Sequence, residues 1–263
     1  MYKAVFLDLD GTLLDNEKNI SKENIEAIER AKAKGALVCI CSGRQIDITR
    51  EYKNMAHASN YMICSNGAII YDDDLGEELF SAYMEKDFCK EAYEYVEKNG
   101  LTIRFDTKYG RYVNNENFNT STEILLTEGI DKFLADNEII QMSIVGNTFE
   151  EIDKARDSLN VEGKNTSIGN RYSEEFPKHY CAFNCINDSV SKGNAIRGLC
   201  KYLKIDLKDI IAIGDESNDV SMVEVAGLGI AMENGFDDVK AVAKEITKSN
   251  VENGVAFILN KYI

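Results

Sequence analysis

Positive charge is scarce in this 263-residue chain: 30 lysines and arginines stand against 45 aspartates and glutamates, a formal net charge of −15. Non-specific nucleic-acid binding neutralises phosphates with lysine and arginine, and docking on anionic lipid needs the same residues, so the balance argues against both partners. An anionic substrate must be drawn by a local arrangement instead. Histidine is nearly absent. Only His57 and His179 occur, with no HExxH spacing, which argues against a histidine-rich zinc site. Cysteine is present without a pattern: seven residues, odd in number, with no CxxC pair. Cys39, Cys41 and Cys64 fall in predicted buried strands and read as reduced structural thiols of a cytoplasmic protein. Long hydrophobic runs are missing, since stretches such as "GAII" and "DIIAIG" fall far short of a bilayer span. The start, "MYKAVFLDLDG", reaches acidic residues by position 8 and does not read as a secretory signal. No proline- or serine-rich linker divides the chain, so a domain boundary must be read from a change of pattern.

With 44% hydrophobic and 29% charged residues, the composition is that of a globular protein with a core for one large domain or two modest ones. The N-terminal part alternates strand and helix. "KAVFLDL" reads as a strand. "SKENIEAIERAKAKG" reads as a helix with Ser21 as N-cap, a staple from Ile20 to Ile25, and Gly35 as its stop. "ALVCIC" is a second strand, a helix follows from about Gln45 to Met55, and "YMICSNGAIIY" is a strand, a turn at Asn66 and Gly67, and a returning strand. The rhythm resumes with helix "SKGNAIRGLCKYLKI", strand "DIIAIGD", helix "NDVSMVEVAG", strand "LGIAM", helix "FDDVKAVAKEI" and a last helix near "NGVAFILNKYI". This predicts an α/β fold with a doubly wound, mostly parallel sheet covered on both faces, over 1–82 and 189–263. The middle, 83–188, mixes helices with paired strands and reads as an inserted α+β module. "LTIRFDT" would pair with "GRYVNN", and "IIQMSIVG" with "HYCAFNCI".

Ligands of open parallel sheets bind beyond the carboxyl ends of the strands. There the first strand delivers Asp8, Asp10, Gly11 and Thr12, and the second delivers Ser42, Gly43 and Arg44. The third delivers Ser65, Asn66 and Gly67, and "IIAIGD" delivers Gly214 and Asp215, with Asn218 and Asp219 in the next turn. Lys192 opens the preceding helix. Two like charges about 4 Å apart repel by roughly 4 kcal/mol at an effective dielectric of 20. Four converging carboxylates therefore take up protons or bind a cation, and one lysine cannot balance them. An all-oxygen donor set suits magnesium better than zinc. Taken alone, each tetrapeptide is an ordinary turn or helix start. Their order, and their common placement on one sheet edge, point to a site.

"DLDGTLL", "CSGR", "SKG" and "GDESNDVSM" resemble, in order, the four motifs of the haloacid dehalogenase superfamily. "GIAMENG", "VKAVAKEIT" and "NGVAFIL" resemble its Cof-type branch, which carries a large α+β cap between the second and third motifs. The resemblance implies that Asp8 is a nucleophile forming an aspartyl-phosphate, and that Asp10 is general acid and then base. It implies that Thr12 and Ser42 bind phosphoryl oxygens and that Lys192 neutralises the phosphoryl charge. Mg2+ would be held by Asp8, the Asp10 carbonyl, Asp215, Asn218 and Asp219. Gly43, Arg44, Asn66, Lys192 and Asn218 would contact substrate. Glu216 and Glu233 stand where the family often has glycine, which leaves the catalytic groups in place and alters the local field. Having Asp10 favours phosphate esters over haloacids, because a halide leaves without a proton.

The implied activity is a Mg2+-dependent phosphatase acting on a small phosphorylated metabolite, by default a sugar phosphate, in a monomer or weak homodimer. A phosphomannomutase-like phosphomutase is the nearest alternative. A receiver-type regulator is about half this length and lacks a cap, and a silent binding protein would have lost a motif position. In the middle segment Arg104, Tyr109, Arg111 and Tyr112 either grip a polar leaving group or form a solvated hairpin with aromatic packing, the second being favoured. His179, placed on an edge strand, reads as structural.

Overall fold

Strand β1 (Ala4–Leu7) has no polar position because both of its faces are covered. Val5 and Leu7 join a buried cluster with Ile28, Ile213 and Ile258, while Ala4 and Phe6 join another with Ile196, Leu199 and Met222. The structure is a computed structural model and describes residues 2–118, 123–173 and 176–263, leaving aside the side chains of 118 and 167–180. The chain divides into two units, Met1–Ser81 with Val190–Ile263, and Ala82–Ser189.

After β1 come α1 (Lys22–Ala33), β2 (Leu37–Cys41), α2 (Ile46–Met55), β3 (Tyr61–Cys64), β4 (Ile69–Asp72) and β5 (Glu77–Ser81). The second unit supplies α3 (Lys86–Asn99), β6 (Thr102–Thr107), β7 (Arg111–Val113), β8 (Glu123–Leu125) and α4 (Ile130–Asp136). It continues with β9 (Ile139–Gly146), α5 (Phe149–Ser158), β10 (Lys164–Ser173) and β11 (Phe176–Asn187). The chain returns to the first unit through α6 (Lys192–Leu203), β12 (Ile210–Gly214), α7 (Val220–Val225) and β13 (Leu228–Ala231). It ends in α8 (Asp237–Val242), β14 (Glu245–Ile246) and α9 (Gly254–Tyr262).

The first unit's sheet has the order β14-β13-β12-β1-β2-β3-β4-β5, parallel from β14 to β3 and antiparallel at β4 and β5. This is the mostly parallel α/β sheet that the strand–helix rhythm predicts. β1 lies between β12 and β2, where the strand order reverses. Leu7 stands opposite Ile213, so Asp8 leaves the sheet beside Gly214, the last residue of β12, and Asp215 follows one residue on. Helix α1 starts on Ser21, whose Oγ accepts from the Asn24 N–H at 3.1 Å, and Gly35 follows its end at φ +90°. All seven cysteines are buried, and burial pushes the Cys64 thiol up to about 12. Among the described residues no helix is long and apolar enough to cross a membrane.

One predicted element is different. The helix read through "FDDVKAVAKEI" stops at Val242, and Glu245–Ile246 form β14. Ala243 is extended, the Lys244 N–H donates to the Gly229 carbonyl at 2.8 Å, and the Thr247 N–H donates to the Ala231 carbonyl at 2.9 Å. Pairing on the sheet edge replaces the bonds that a longer helix would have made.

In the second unit the sheet has the order β10-β11-β9-β6-β7-β8. The alternation in "TIRFDT" buries Ile103 and Phe105 in a cluster with Phe88, Ile144 and Phe183, and places Arg104 and Asp106 on the other face. Arg104 is paired with Asp106 at 3.0 Å and Glu123 at 4.0 Å, so its charge is already balanced. The Tyr112 ring packs on Phe133 with centroids 4.9 Å apart, whereas Tyr109 is exposed. β11 is not an edge strand, because it pairs with both β10 and β9; His179 lies beyond its β9 pairing, and its side chain is outside the described residues.

Beside β4, Asp73 accepts from Arg50 Nε at 2.6 Å and from Lys53 Nζ. Burial opposes ionisation of Asp73, but these two hydrogen bonds outweigh it and hold the carboxyl below its ordinary value. Asp73→Asn should therefore cost about 1–3 kcal/mol of stability at neutral pH, leaving the buried Lys53 without its counter-charge. A depressed carboxylate contributes fully above its unfolded-state value of 3.8 and loses that contribution as pH falls through the lower folded value. Urea unfolding across pH should show the gap between wild type and variant closing on acidification, and a gap that widens would contradict this.

Candidate active site

The residues that the sequence puts at the strand ends of the first unit meet around three carboxylates. Asp8, Asp215 and Asp219 are buried and each offers an oxygen within 4.8 Å of the others; among the described residues they form a group able to hold a metal ion. Lys192, the first residue of α6, reaches into the group: its Nζ donates to Asp8 Oδ1 at 2.6 Å and to Asp219 Oδ1 at 2.5 Å. The backbone carries it there. Ser191 caps α6 by accepting from the Asn194 N–H at 3.1 Å. Gly67, at φ +100°, lies so close that a Cβ on it would stand 2.2 Å from the Ser191 carbonyl oxygen. Ser65 and Asn66 also adopt positive φ, 52° and 58°, so three consecutive residues turn left-handed to make this approach.

Each carboxylate has its own environment. Asp219 is fully buried and both of its oxygens are committed, Oδ1 to Lys192 and Oδ2 to the backbone N–H groups of Asp215 at 2.9 Å and Glu216 at 3.1 Å. Asp215 Oδ1 accepts from Thr12 Oγ1 at 2.7 Å, and burial, with Asp219 and Glu216 nearby, raises its carboxyl to about 6. Asp8 is raised too, first by burial, against the pull of Lys192. Burial alone would depress the Lys192 ammonium, but Asp8 and Asp219 outweigh it and hold the amine protonated. Asp8 Oδ2 makes no hydrogen bond with a described residue, so one oxygen of the first aspartate keeps its lone pairs.

Asp10 stands apart from the three. Its carboxylate is half-exposed and held by cations: Arg44 Nη2 to Oδ1 at 2.6 Å, Arg44 Nε to Oδ2 at 2.7 Å, and Lys18 Nζ to Oδ1 at 2.7 Å. The Arg44 hydrogen bonds, ahead of those from Lys18, pull its carboxyl down to about 2. Ser42 is buried, and its Oγ accepts from the Arg44 N–H at 3.2 Å. Gly43 passes so near Asn66 that a Cβ there would lie 2.8 Å from Asn66 Oδ1, and Asn218 Nδ2 donates to the same oxygen at 2.9 Å.

Of the residues singled out from the sequence, Asp8, Thr12, Lys192, Asp215 and Asp219 are brought together. Asn218 is exposed and bound to Asn66 rather than to the acidic group. The Thr12 proton goes to Asp215, and Arg44 turns onto Asp10. Glu216 and Glu233 are exposed. Three neighbours were not foreseen. Lys18 holds Asp10. Asn234 Nδ2 donates to the Gly11 carbonyl at 2.8 Å, and Asn250 ties Asn234 Oδ1 at 2.9 Å and the Leu14 carbonyl at 2.9 Å. Asn234 follows Glu233 in "AMEN", one residue past the departure from the family's glycine.

Gly11 sets the approach of the first turn. It has φ +80°, and a Cβ on it would lie 2.1 Å from Asp215 Oδ2. Gly11→Ala should displace Asp215 and lower kcat/KM about 100-fold, the usual consequence of misplacing a site group by an ångström. Circular dichroism should show the fold retained, and activity within about twofold of wild type would contradict the close approach.

The family model of haloacid dehalogenase-like hydrolases matches residues 5–259. A Streptococcus pyogenes protein, M6_Spy0533, which carries a phosphatase name without a substrate, is 31% identical over 99% of this chain and 98% of its own length. The 5-amino-6-(5-phospho-D-ribitylamino)uracil phosphatase YwtE of Bacillus subtilis is 30% identical over 99% of this chain and 98% of its own. Among solved structures, the HAD subclass IIB sugar phosphatase BT4131 superposes with a TM-score of 0.73 at 25% identity, covering 99% of this chain and 98% of that one. With the four motifs gathered on one sheet edge and the match running nearly end to end, the chain belongs to the haloacid dehalogenase-like hydrolases, in their Cof-type branch.

Proposed function

We propose that this hydrolase is a Mg2+-dependent phosphatase that releases phosphate from a small phosphorylated metabolite, a sugar phosphate or similar polyol ester, with Asp8 as nucleophile. The observation that carries the reading is the buried group Asp8, Asp215 and Asp219 with Lys192 as its ammonium. Three carboxylates and one ammonium leave an excess of negative charge in a buried place, and an all-oxygen donor set fits a hard divalent cation. Asp8 and Asp215 would hold the ion with the Asp10 carbonyl, while Asp219, both oxygens committed, supports Lys192 and the loop. Bound there, magnesium would offset charge on the phosphoryl oxygens.

The chain's own residues account for the rest. Asp8 Oδ2 attacks phosphorus and forms an aspartyl-phosphate. Lys192 fixes the other Asp8 oxygen and would offer its positive charge to a phosphoryl oxygen. The Ser42 hydroxyl accepts from Arg44 N–H and keeps its own proton for a phosphoryl oxygen. Thr12 acts through Asp215. Asp10 protonates the leaving alcohol and then takes a proton from the attacking water. Gly43, Arg44, Asn66 and Asn218 line the same strand ends and serve substrate binding. The unit Ala82–Ser189 is read as the element that sets substrate choice.

Relatives named for a sugar phosphate and for a phosphoribityl compound support a polyhydroxylated leaving group. A receiver-type regulator does not fit a family match over 5–259. The test is phosphate release, with and without Mg2+, across sugar phosphates, nucleotides and pyridoxal phosphate. Metal-dependent turnover strongest on sugar phosphates is expected. Absence of turnover on every ester would overturn the reading.

A further inference from the structure

Asn234 belongs to none of the four motifs, yet its side chain joins two loops that carry the acidic group. It stands in the turn after β13, where the Gly235 N–H donates to the Met232 carbonyl at 3.0 Å. That turn is built against Asp215. The Phe236 N–H donates to the Asp215 carbonyl at 2.8 Å, and a Cβ on Gly235 would lie 3.1 Å from Asp215 Cα. From this seat Asn234 Nδ2 reaches the other loop and donates to the Gly11 carbonyl at 2.8 Å. The amide is oriented from its other end, where Oδ1 accepts from the Asn250 N–H at 2.9 Å. Asn250, itself buried, also donates to the Leu14 carbonyl at 2.9 Å, so the turn 11–14 is anchored at both ends by this pair of asparagines. What that turn holds is the Asp215 carboxylate. Thr12 Oγ1 donates to Oδ1 at 2.7 Å, and Gly11 lies so near Oδ2 that a Cβ would stand 2.1 Å from it. The backbone of Asp215 is thus fixed by the turn that bears Asn234, and its carboxylate by the turn that Asn234 grips.

We propose that Asn234 is a positioning residue for the metal site: its amide staples the Gly11 turn to the Asp215 loop, so that Asp8 and Asp215 stand close together before a Mg2+ ion arrives. The inference rests on the reading of the acidic group as a Mg2+ site. Buried carboxylates repel one another, and loops free to move would let them part. Without the staple the ion must itself draw the two loops together, and the cost of that ordering falls on its affinity. Once bound, the ion restores the arrangement, so the chemical step changes little. A bond without consequence for the site would behave otherwise. Asn234 is exposed, water would take its place on the Gly11 carbonyl, and Mg2+ would bind as before.

The test is a calorimetric titration of metal-free protein with Mg2+ alone. It compares the wild type with Asn234→Ala, with Asn234→Leu, which keeps the bulk of the side chain without its amide, and with Asp73→Asn, whose lost ion pairs to Arg50 and Lys53 lie outside the acidic group. Both Asn234 variants should raise the Kd for Mg2+ about tenfold, the lower end of what losing a contact behind the metal ligands costs. Asp73→Asn, although less stable, should leave that Kd within about twofold of wild type. In turnover the half-saturating Mg2+ concentration should rise by the same factor in the Asn234 variants, while kcat at saturating Mg2+ stays within about threefold of wild type. If the wild-type protein binds no Mg2+, the metal reading fails and takes this proposal with it. If the wild type binds Mg2+, the proposal on Asn234 is overturned by an unchanged Kd in its variants, by an equal rise in Asp73→Asn, or by a loss of kcat that saturating Mg2+ does not restore, and the metal reading stands.

Discussion

Asp8→Asn should abolish turnover, with a loss of about 10⁴-fold or more, the scale seen when a covalent nucleophile is removed. The amide has the shape of the carboxylate but not its nucleophilic oxygen, so no aspartyl-phosphate can form. Structure should survive. Lys192 Nζ lies 2.6 Å from Asp8 Oδ1 and can donate to an amide oxygen as it does to a carboxylate. The substitution also replaces an ionisable group by a neutral one in a place where burial, with Asp219 and Asp215 adding to it against the pull of Lys192, raises the Asp8 carboxyl. Thermal stability should be equal to or higher than that of the wild type. An inactive but stable variant separates chemistry from folding, and a variant that keeps a tenth of the activity would remove Asp8 from the nucleophile's place.

Stripping divalent metal should be equally severe. Activity on any phosphate ester should vanish with chelator and return with Mg2+. A second readout does not involve activity: an ion that binds the folded chain stabilises it by about 2.7 kcal/mol at a hundredfold excess over its Kd. Addition of Mg2+ to metal-free protein should raise Tm, because it offsets the repulsion among Asp8, Asp215 and Asp219. The shift should largely disappear in Asp215→Ala and persist in Asp73→Asn, whose carboxylate is occupied by Arg50 and Lys53. Full turnover without metal, or a shift undiminished in Asp215→Ala, would contradict the assigned metal site.

These expectations rest on features that are unevenly visible in the sequence. The unalternating strand before Asp8 is legible because a strand buried on both faces has no polar position, and it ends where the chain must leave the sheet. Parallel pairing with Leu7 opposite Ile213 then brings the end of β12, and Asp215 one residue past it, to the same sheet edge as Asp8. Lys192 is legible as the start of a capped helix. The two-residue strand β14 is not, because it is too short to show a period and exists only through its bonds to β13. The Thr12 proton could have gone to a ligand or to a neighbour; the neighbour is 203 residues away in the chain, and only the folded turn at Gly11 brings it near. Lys18 and Asn234 escaped for the same reason. A lysine in a polar loop and an asparagine after a strand carry no local mark of the atoms they meet in the folded protein.

The central claim is that catalysis passes through a phosphoryl group on Asp8. Rapid acid quench of the Mg2+-loaded enzyme during turnover, followed by peptide mass mapping, measures this directly. The peptide holding Asp8 and Asp10 should gain the mass of one phosphoryl group, and borohydride reduction should convert residue 8 to homoserine and leave Asp10 unchanged. A quenched, actively turning-over enzyme with no label on that peptide, or with the label on Asp10, would contradict the account.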